Sequence, residues 1–464
     1  MAVAARAQDS TARHVPPAVG LPAGPGAPAL AQTLAWTFLP GWFLEQCSRR
    51  LGDAFTITFA PSGMRFVMFS DPEAVKAIFT APPEVAPSAA GNSPVRPVMG
   101  AHSVVTLTGP EHMRQRKLLL PPFHGERMRE YEEVIVAATR RDMAHWPLHR
   151  PMRLQPHTRA ITLEVILRAV FGVEAQEMDS MRAAVGELLA PINFLAVLRI
   201  ALSRPTLERP GGSIGRALDR LDGVIYEEIA RRRRVEDLAE RKDILSLLLL
   251  ARDEDGRAMG DEELRDELVT LLLAGHETTA TSVAWAVERL VRHPDRLARL
   301  TAEIDAGGEE YLNAVVNETL RVRPVVPIVA RVLQEDLEIG GRLLPAGTAV
   351  APCIYLTNRN PSVYERPREF MPERFLGRTP DTFAWIPFGG GIRRCIGASF
   401  ATLEMKLILR TVLSELQPRL PTGWRERLGG GGWRRGEPIR RRAITMVPLA
   451  GAQVVWERRA PRPG

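Results

Sequence analysis

The sequence predicts a mainly α-helical fold with a smaller β region, built as a single large domain over residues 1–464. The first observation is a helical spacing of apolar side chains from Asp261 to Arg292, which at 1.5 Å per residue gives a helix about 48 Å long. The second is a short β region from Ala54 to Phe69, where apolar residues alternate on either side of a Pro-Ser-Gly turn. The third is that no Pro/Gly/Ser-rich linker, acidic tract or internal repeat divides the sequence.

The composition is that of a globular protein, with 45% hydrophobic and 25% charged residues. Cys47, Cys353 and Cys395 form a sparse, odd set without a C-x-x-C pair, which indicates a reducing, cytoplasmic location rather than a disulfide scaffold. The formal net charge of +7 reflects high arginine usage and indicates an acidic protein partner, because no nucleic-acid-binding motif is present.

The first 37 residues are a Pro/Gly-rich N-terminal extension. They lack the basic region and clean apolar core of a secretory signal, and their prolines exclude a membrane-spanning helix. Four apolar side chains remain to be explained: Leu34, Trp36, Phe38 and Trp42. We expect them to pack on the protein, with peripheral contact to a membrane surface as the alternative.

The N-terminal half continues as a mixture of helices and one long loop. Asp71 followed by proline starts a helix that runs to about Phe79. Residues 82–103 have no periodicity and form a long loop, a type of segment that often carries function. The pattern over 131–234 is helical with interruptions at prolines, Pro156 among them, and its apolar 191–210 stretch is either a mobile lid or ordinary core.

The C-terminal half alternates helices with short strands. Apolar spacing predicts helices from Glu310 to Arg323 and from Ala398 to Leu416. Strands are expected around Gly340-Gly341 and from Ala349 to Leu356. The Arg434–Arg442 cluster is expected to be a solvated face.

The most informative stretch is Phe388 to Gly397, which places Cys395 between glycines and directly after Arg393 and Arg394. A thiol at the start of a helix and beside cations is biased towards thiolate. The glycines allow the backbone to approach a large flat group. A thiolate held in this way is suited to be an axial iron ligand, whereas a lone cysteine in a turn would more often be structural.

This stretch matches F-x-x-G-x-R-x-C-x-G and resembles the haem-binding loop of the cytochrome P-450 family. Three further motifs stand in the family's order: His112-x-x-x-Arg116, Ala274-Gly275-His276-Glu277-Thr278-Thr279, and Glu318-x-x-Arg321. The resemblance extends from about Phe38 to Val455 and implies the cytochrome P-450 fold, in which a long central helix lies over the haem.

The resemblance also implies the cofactor, haem b, and the residues that hold it. Cys395 would be the axial ligand of the haem iron, and Phe388 would pack on the thiolate side of the haem. Two propionates buried with a porphyrin need cationic partners. The resemblance assigns this role to His112, Arg116, Arg331 and Arg393.

The centre of the long helix breaks the rules of helix propensity. Glycine and adjacent threonines cost about 0.5–1 kcal/mol each relative to alanine, a violation most expected at a working site. A threonine hydroxyl can also replace a backbone hydrogen bond and open a groove. By resemblance, Thr278 and Glu277 are the catalytic pair that delivers protons to oxygen, while His276 lines the pocket or packs. The alternative is that the small residues only allow close helix packing.

A third group of residues has an expected structural role. Glu318 and Arg321 are three apart on a predicted helix, where an ion pair forms readily. In the family that the chain resembles, these two residues and Arg374 brace the cysteine loop.

The predicted function is a haem-thiolate monooxygenase that inserts one oxygen atom of O2 into a small lipophilic substrate by hydroxylation or epoxidation. The chain lacks a dinucleotide-binding fingerprint and an iron–sulfur cysteine set, so a separate ferredoxin or flavodoxin with its reductase would supply electrons, docking near Arg114, Lys117 and Arg394. We expect a monomer without a transmembrane segment. The alternatives are a peroxygenase or isomerase of the same fold, and a haem sensor.

Overall fold

The computed structural model describes residues 18–88, 96–125, 127–172, 175–189, 210–421 and 436–459. Most of these residues belong to helices. The helices are α1 (Ala29–Phe38), α2 (Pro40–Leu51), α3 (Pro72–Thr80), α4 (Arg96–Met99), α5 (Gly109–Leu119), α6 (Arg127–Met143), α7 (Leu154–Phe171), α8 (Ala175–Leu189), α9 (Gly212–Arg232), α10 (Ile244–Leu250), α11 (Asp261–Leu290), α12 (Pro294–Asp305), α13 (Glu310–Val322), α14 (Ile354–Thr357) and α15 (Ala398–Glu415).

The β region consists of short strands in small sheets. The strands are β1 (Ala18–Val19), β2 (Ala54–Phe59), β3 (Met64–Phe69), β4 (Pro151–Arg153), β5 (Arg331–Val332), β6 (Leu337–Ile339), β7 (Arg342–Leu344), β8 (Ala349–Pro352), β9 (Leu416–Arg419), β10 (Ile439–Arg442), β11 (Thr445–Pro448) and β12 (Gln453–Arg458). The largest sheet among them has the order β2-β3-β8-β5, and β10 pairs with β11 as a separate hairpin. The predicted mainly α fold with a smaller β region is therefore confirmed.

The long helix α11 passes through the largest hydrophobic core of the described chain. Its first turn carries three acidic residues, which favour a helix N-terminus, and the Glu263 carboxylate accepts a hydrogen bond from the Gly260 N–H at 2.8 Å. From Thr279 to Leu290 every residue of the helix is buried. Such a helix is a rigid element against which the functional side chains can be positioned.

Several predicted elements agree closely with the structure. The β2–β3 hairpin forms with Phe55 opposite Met68, and Asp71 caps α3 by accepting from the Ala74 N–H at 3.0 Å. Two details were wrong. The strand expected from Ala349 to Leu356 ends at Pro352, and the short helix α14 follows it. Pro156 does not interrupt a helix, because it lies in the first turn of α7, where its missing N–H costs nothing.

Two predicted segments fall wholly or partly outside the described residues: the 191–210 stretch, and the 82–103 loop at its residues 89–95. Residues 18–37 of the predicted N-terminal extension are described, and they contact the rest of the fold. Strand β1 pairs in parallel with β7, and Thr56 of β2 donates its hydroxyl to the Pro22 carbonyl. Among the described helices, none combines the length and the apolar character needed to cross a membrane.

A fully buried ion pair joins α13 to the segment that leads towards the cysteine loop. The Arg321 guanidinium donates to both oxygens of Glu318, at 2.7 and 2.8 Å. Its remaining bonds go to the carbonyls of Asn358, Pro367 and Glu369, at 2.8 to 3.0 Å. Every Arg321 nitrogen is thereby satisfied, which is the condition under which a charge tolerates complete burial.

Replacing Glu318 by glutamine conserves the side chain's size and removes the counter-charge of a buried guanidinium. We expect Glu318→Gln to lower the free energy of unfolding by about 3–5 kcal/mol, measured by denaturant unfolding followed by circular dichroism. The matched control is Asp179→Asn, which breaks the exposed pair with Arg182 and should cost at most about 1 kcal/mol. Equal losses for the two variants would contradict this interpretation of the buried pair.

Candidate functional site

The cysteine loop forms a tight turn in which Gly389 and Gly391 have positive φ angles of 67° and 63°. The turn closes when the Cys395 N–H donates to the Phe388 carbonyl at 3.0 Å. Helix α15 begins only at Ala398, so Cys395 lies three residues before the helix. The prediction that Cys395 stands at the start of the helix was therefore wrong. Its thiol is exposed, yet burial is the largest influence on its pKa and raises it, while the Gly397 N–H, Arg394 and Arg116 act to lower it. Cys395 is thus accessible although protein atoms closely surround it.

Two glycines of this loop lie directly against Phe79 of α3. A Cβ atom on Gly390 would come within 2.7 Å of Phe79 Cε2, and one on Gly391 would meet the Phe79 carbonyl oxygen. The absence of side chains at these positions therefore lets the loop pack on α3. Phe388 is half-buried, and its ring lies 6.1 Å from that of Trp385.

Basic side chains converge near the loop without acidic partners. His112 is 1% exposed, and its Nδ1 has no hydrogen-bond partner. Burial, followed by the charges of Arg393, Arg116 and Arg331, lowers the pKa of His112 to about 4. Within the described part of the chain, no carboxylate forms an ion pair with any of these three arginines.

Arg331 and Arg393 donate their hydrogen bonds to backbone carbonyls. Arg331 donates to the Ala330 carbonyl at 3.0 Å, and Arg393 donates to the carbonyls of Val104, at 2.9 Å, and Leu107. Burial and the other two arginines lower the pKa of Arg393 to about 10, and burial lowers that of Arg331 to about 10. Three basic side chains without a carboxylate partner form a group suited to an anionic ligand.

One face of α11 is accessible in a segment of the helix whose other residues are mostly buried or half-buried. Ala274 is exposed and Thr278 is half-buried, although Leu272, His276 and Thr279 are buried. Residues four apart lie on the same helix face, so Ala274 and Thr278 border the same opening. The Thr278 hydroxyl donates to the Ala274 carbonyl at 2.8 Å, while α11 remains a continuous α-helix through this segment, so the replacement of a backbone hydrogen bond stays a prediction.

The opposite side of this segment is packed against α7. Gly275 faces Ile166, whose Cδ1 would lie 3.1 Å from a Cβ at that position. The hydroxyls of Thr162 and Thr158 donate to the carbonyls of His276 and Ala280, both at 2.9 Å. Close packing therefore accounts for Gly275 but not for Thr278, and His276 is a packed residue whose Nδ1 contacts the Leu272 carbonyl at 3.1 Å.

Glu277 is held by two arginines that sequence reasoning missed. Arg159 of α7 pairs with both of its oxygens, at 2.7 and 2.8 Å, and Arg442 of β10 lies 3.7 Å away. The prediction that the Arg434–Arg442 cluster is solvated was therefore wrong for Arg442, and also for Arg441, whose guanidinium lies 4.9 Å from the Trp36 ring centroid. The available signal was the polar stripe Gln155, Thr158, Arg159 and Thr162 at helical spacing in an apolar stretch.

Two contacts tie α11 to the cysteine loop and the helix after it. Glu404 of α15 is buried near Thr279, the neighbour of Thr278; burial keeps the pKa of Glu404 well above its usual range, while Thr279 acts to lower it. The Val104 N–H donates to Glu267 of α11 at 2.7 Å, while the Val104 carbonyl accepts from Arg393. These links place the exposed thiol and the open face of α11 on neighbouring elements.

The structure also brings Glu318, Arg321 and Arg374 together. Arg374 Nε lies 3.2 Å from Glu318 Oε2, beside the buried Glu318–Arg321 pair. Asn358, whose carbonyl binds Arg321, accepts from the Ile386 N–H at 3.0 Å, two residues before Phe388. The brace is thus connected to the loop by a continuous series of hydrogen bonds.

The residues expected to meet an acidic partner behave differently from one another. Arg114 pairs with Asp253 and Glu263, both at 2.6 Å, and is half-buried. Lys117 is exposed but contacts Glu254 at 2.6 Å. A docking role requires an outward-facing charge, and Arg114 does not provide one because these carboxylates neutralise it, whereas Arg394 is exposed.

These observations fit a haem. Cys395 is accessible, and a group of basic side chains that includes an unpartnered buried imidazole nitrogen lies near it. The two carboxylates of a protoporphyrin match the cationic cluster, and the missing Cβ atoms of Gly390 and Gly391 hold the loop close to α3. The donor set is that of a thiolate-ligated haem.

Comparison with known proteins identifies the same type of molecule. Residues 37–426 match the family model described as Cytochrome P450. The chain is 40% identical over 450 residues to cytochrome P450 137 of Mycobacterium tuberculosis, covering 95% of this chain and 92% of that protein. It is 39% identical over 446 residues to cytochrome P450 135B1 of Mycobacterium bovis, covering 94% and 91%.

Solved structures share the fold at lower identity. The retinoic acid-bound cyanobacterial CYP120A1 superposes with a TM-score of 0.78 at 24% identity, covering 96% of this chain and 99% of that one. The haem domain of cytochrome P450DA superposes with a TM-score of 0.81 at 23% identity and the same coverage.

The loop's contact with α3 makes a direct prediction. We expect Gly391→Ala to lower both the free energy of unfolding, by about 2–4 kcal/mol, and the fraction of haem retained through purification, because it adds strain at positive φ to a collision with the Phe79 backbone. Haem content is read as the ratio of Soret to protein absorbance. Gly397→Ala is the control, since its added methyl group meets nothing within 4 Å. Normal haem content and stability in Gly391→Ala would contradict the proposed packing.

Proposed function

Because the chain belongs to the cytochrome P450 family of haem-thiolate monooxygenases, we propose that it inserts one oxygen atom of O2 into a small lipophilic organic substrate. The reaction would be a hydroxylation or an epoxidation. The observation that carries the proposal is the exposed Cys395, which lies just before helix α15. Glu404 of α15 lies near Thr279 of α11, the neighbour of Thr278 on the open face.

The cofactor is haem b, and we assign its binding residues as follows. Cys395 is the axial ligand of the iron, and Phe388 packs on the thiolate side. His112, Arg116, Arg331 and Arg393 hold the propionates. The support is the shared electrostatic influence of these basic groups, and the lack of any carboxylate paired with the three arginines in the described ranges. When bound, the haem supplies the activation of dioxygen, and the protein binds, orients and provides protons.

Glu277 and Thr278 are the proposed proton-delivery residues. The Thr278 hydroxyl is bonded to the Ala274 carbonyl, which orients its oxygen on the open face of α11. Glu277 is the neighbouring carboxylate, held between Arg159 and Arg442. To pass a proton towards Thr278, Glu277 must first exchange an arginine contact for water or for the threonine.

A lipophilic substrate agrees with the character of the open face. Leu271, Ala274 and Thr278 share this side of α11, and it presents one hydroxyl and no charge. The structural relative CYP120A1 was solved with retinoic acid, a largely apolar molecule. The presence of Glu277 and Thr278 favours a dioxygen-dependent monooxygenase over a peroxygenase or isomerase of the same fold, and over a haem sensor.

A separate ferredoxin or flavodoxin with its reductase is the proposed source of electrons. Arg394 is exposed next to Cys395, and Lys117 is exposed on α5. Because Arg114 is neutralised by Asp253 and Glu263, and Lys117 is paired with Glu254, we now assign the attraction of an acidic partner chiefly to Arg394; Lys117 contributes where a partner's carboxylate replaces its exposed pair. We further propose that residues 1–464 form a single domain, act as a monomer and are located in the cytoplasm.

The reaction class is tested on purified protein in two steps. We expect the reduced carbon monoxide complex to show the difference spectrum of thiolate ligation, and a spectrum of histidine type would refute the assignment of Cys395. A panel of lipophiles is then screened for substrate-induced spin shifts. The binders should be oxidised only when NADPH, a ferredoxin or flavodoxin, and its reductase are present, with one atom from labelled O2 in the product.

The role of Thr278 is tested by comparing two variants. We expect Thr278→Ala to lower the fraction of consumed O2 that appears in product by about ten- to a hundredfold and to raise hydrogen peroxide release, because a proton donor is lost. Thr278→Ser keeps a hydroxyl and should retain most of the coupling. Unchanged coupling in Thr278→Ala would show that another group delivers the proton.

A further inference from the structure

Helix α1 buries polar side chains and exposes leucines, which is the reverse of an ordinary surface helix. Its polar residues Gln32, Thr33 and Thr37 are buried. Gln32 accepts from the Thr58 N–H of β2 at 2.9 Å, and Thr33 accepts from the Ala60 N–H at 2.9 Å. The polar side chains are thus used to fix the helix on the β2–β3 hairpin.

The apolar residues of the same segment face outward. We call this set the α1–α2 apolar surface: Leu30, Leu34, Leu39 and Trp42, whose exposed fractions are 55%, 40%, 55% and 56%. Leu30 and Leu34 are four apart and share one face of α1, while Leu39 and Trp42 continue the surface into α2. The expectation that this segment packs on the protein therefore holds for Trp36, which is 6% exposed, whereas Leu34, Phe38 and Trp42 are 40%, 48% and 56% exposed. Neighbouring exposed apolar side chains mark an interaction site.

The rim of this surface is cationic. The side-chain amide of Gln46 is best oriented with its oxygen towards Trp42 and Arg49. This oxygen then accepts from Trp42 Nε1 at 3.2 Å and from Arg49 at 2.8 Å, so Arg49 lies beside Trp42. Arg50 follows it and is exposed. Arg65 is exposed on β3 opposite Thr58, the residue that bonds Gln32.

Two carboxylates lie near this rim in sequence. Asp53 follows Arg50 by three residues, is exposed and accepts from the Ser70 hydroxyl at 2.6 Å, so it offsets one of the three arginines. The other carboxylate is already occupied. Glu45 accepts from the Tyr355 hydroxyl at 3.1 Å and pairs with Arg368 at 3.1 Å. Helix α1 itself has no charged residue. The local charge therefore remains positive around an uncharged centre.

We propose that the α1–α2 apolar surface docks the protein on an anionic lipid membrane. Leucine and tryptophan side chains enter the boundary between headgroups and acyl chains, and Arg49, Arg50 and Arg65 meet the lipid phosphates. A second copy of the chain fits less well, because a two-fold contact through this surface would bring the same cationic rims together. The inference does not depend on the proposed reaction.

The test uses the full-length haem-loaded protein and lipid vesicles. We expect it to co-sediment with phosphatidylglycerol/phosphatidylcholine vesicles more strongly than with phosphatidylcholine alone, and less strongly at high salt. Leu34→Glu and Trp42→Glu should each lower the partition coefficient by about tenfold or more. Leu250→Glu, at a 42% exposed leucine of α10, is the matched control and should bind like the wild type.

Three results would overturn the proposal. The first is a lack of binding to anionic vesicles. The second is equal binding by the Leu34, Trp42 and Leu250 variants. The third is a concentration-dependent dimer that Leu34→Glu dissociates without any vesicle binding, which would assign the surface to a second copy. Thermal melts check folding; Leu34 and Trp42 are 40% and 56% exposed, so their variants should remain folded with a midpoint close to that of the wild type.

Discussion

The buried Glu318–Arg321 pair is connected by hydrogen bonds to the segment before the cysteine loop, and we propose that the geometry of the loop depends on it. Removing two charges from water costs several kcal/mol per ion, so the pair persists only because its geometry leaves no Arg321 nitrogen unsatisfied. Three of its bonds go to carbonyls between Asn358 and Glu369, and Asn358 in turn binds the Ile386 N–H. The backbone leading to Phe388 is therefore held from inside the protein. A thiolate ligand needs this precision, because its position is set by the turn and not by its own short side chain.

The same region carries an electrostatic cost that the carboxylates of a haem bound as we propose would lower. Burial is the largest cause that lowers the pKa of His112 and of Arg393; the charges of Arg116 and Arg331 add to it for both groups, and the charge of Arg393 adds to it for His112. Without an anion these groups would repel, so a dianionic ligand stabilises the folded chain as well as filling its site. Binding energy of this kind acts on the native state only, which makes haem content and stability linked quantities. The loop, its brace and the cationic cluster thus act as one unit.

Local signals in the sequence were sufficient for the parts of the structure that depend on near neighbours. The Asp71 cap, the β2–β3 hairpin and the Glu318–Arg321 contact each rest on residues a few positions apart, and each is present. The arginines that hold Glu277 were missed because Arg159 and Arg442 lie more than a hundred residues away on either side, and only the fold brings them together. Arg114 was misplaced for the same reason, since its partners Asp253 and Glu263 are distant in sequence. Propensity describes local conformation, whereas charge pairing across elements is decided by packing.

Two helices break the usual amphipathic pattern, and they do so in opposite ways. Helix α11 buries charged residues such as Glu267 and Glu288 yet leaves Ala274 exposed in its centre, because an opening replaces a packing partner there. Helix α1 buries Gln32 and Thr33 yet exposes Leu30 and Leu34, because nothing in the described chain covers that face. A sequence under selection only for stability would remove both conflicts, since polar burial and apolar exposure each lower it. Their persistence is explained if each helix meets a partner outside the polypeptide: the haem and its substrate at α11, and a lipid surface at α1.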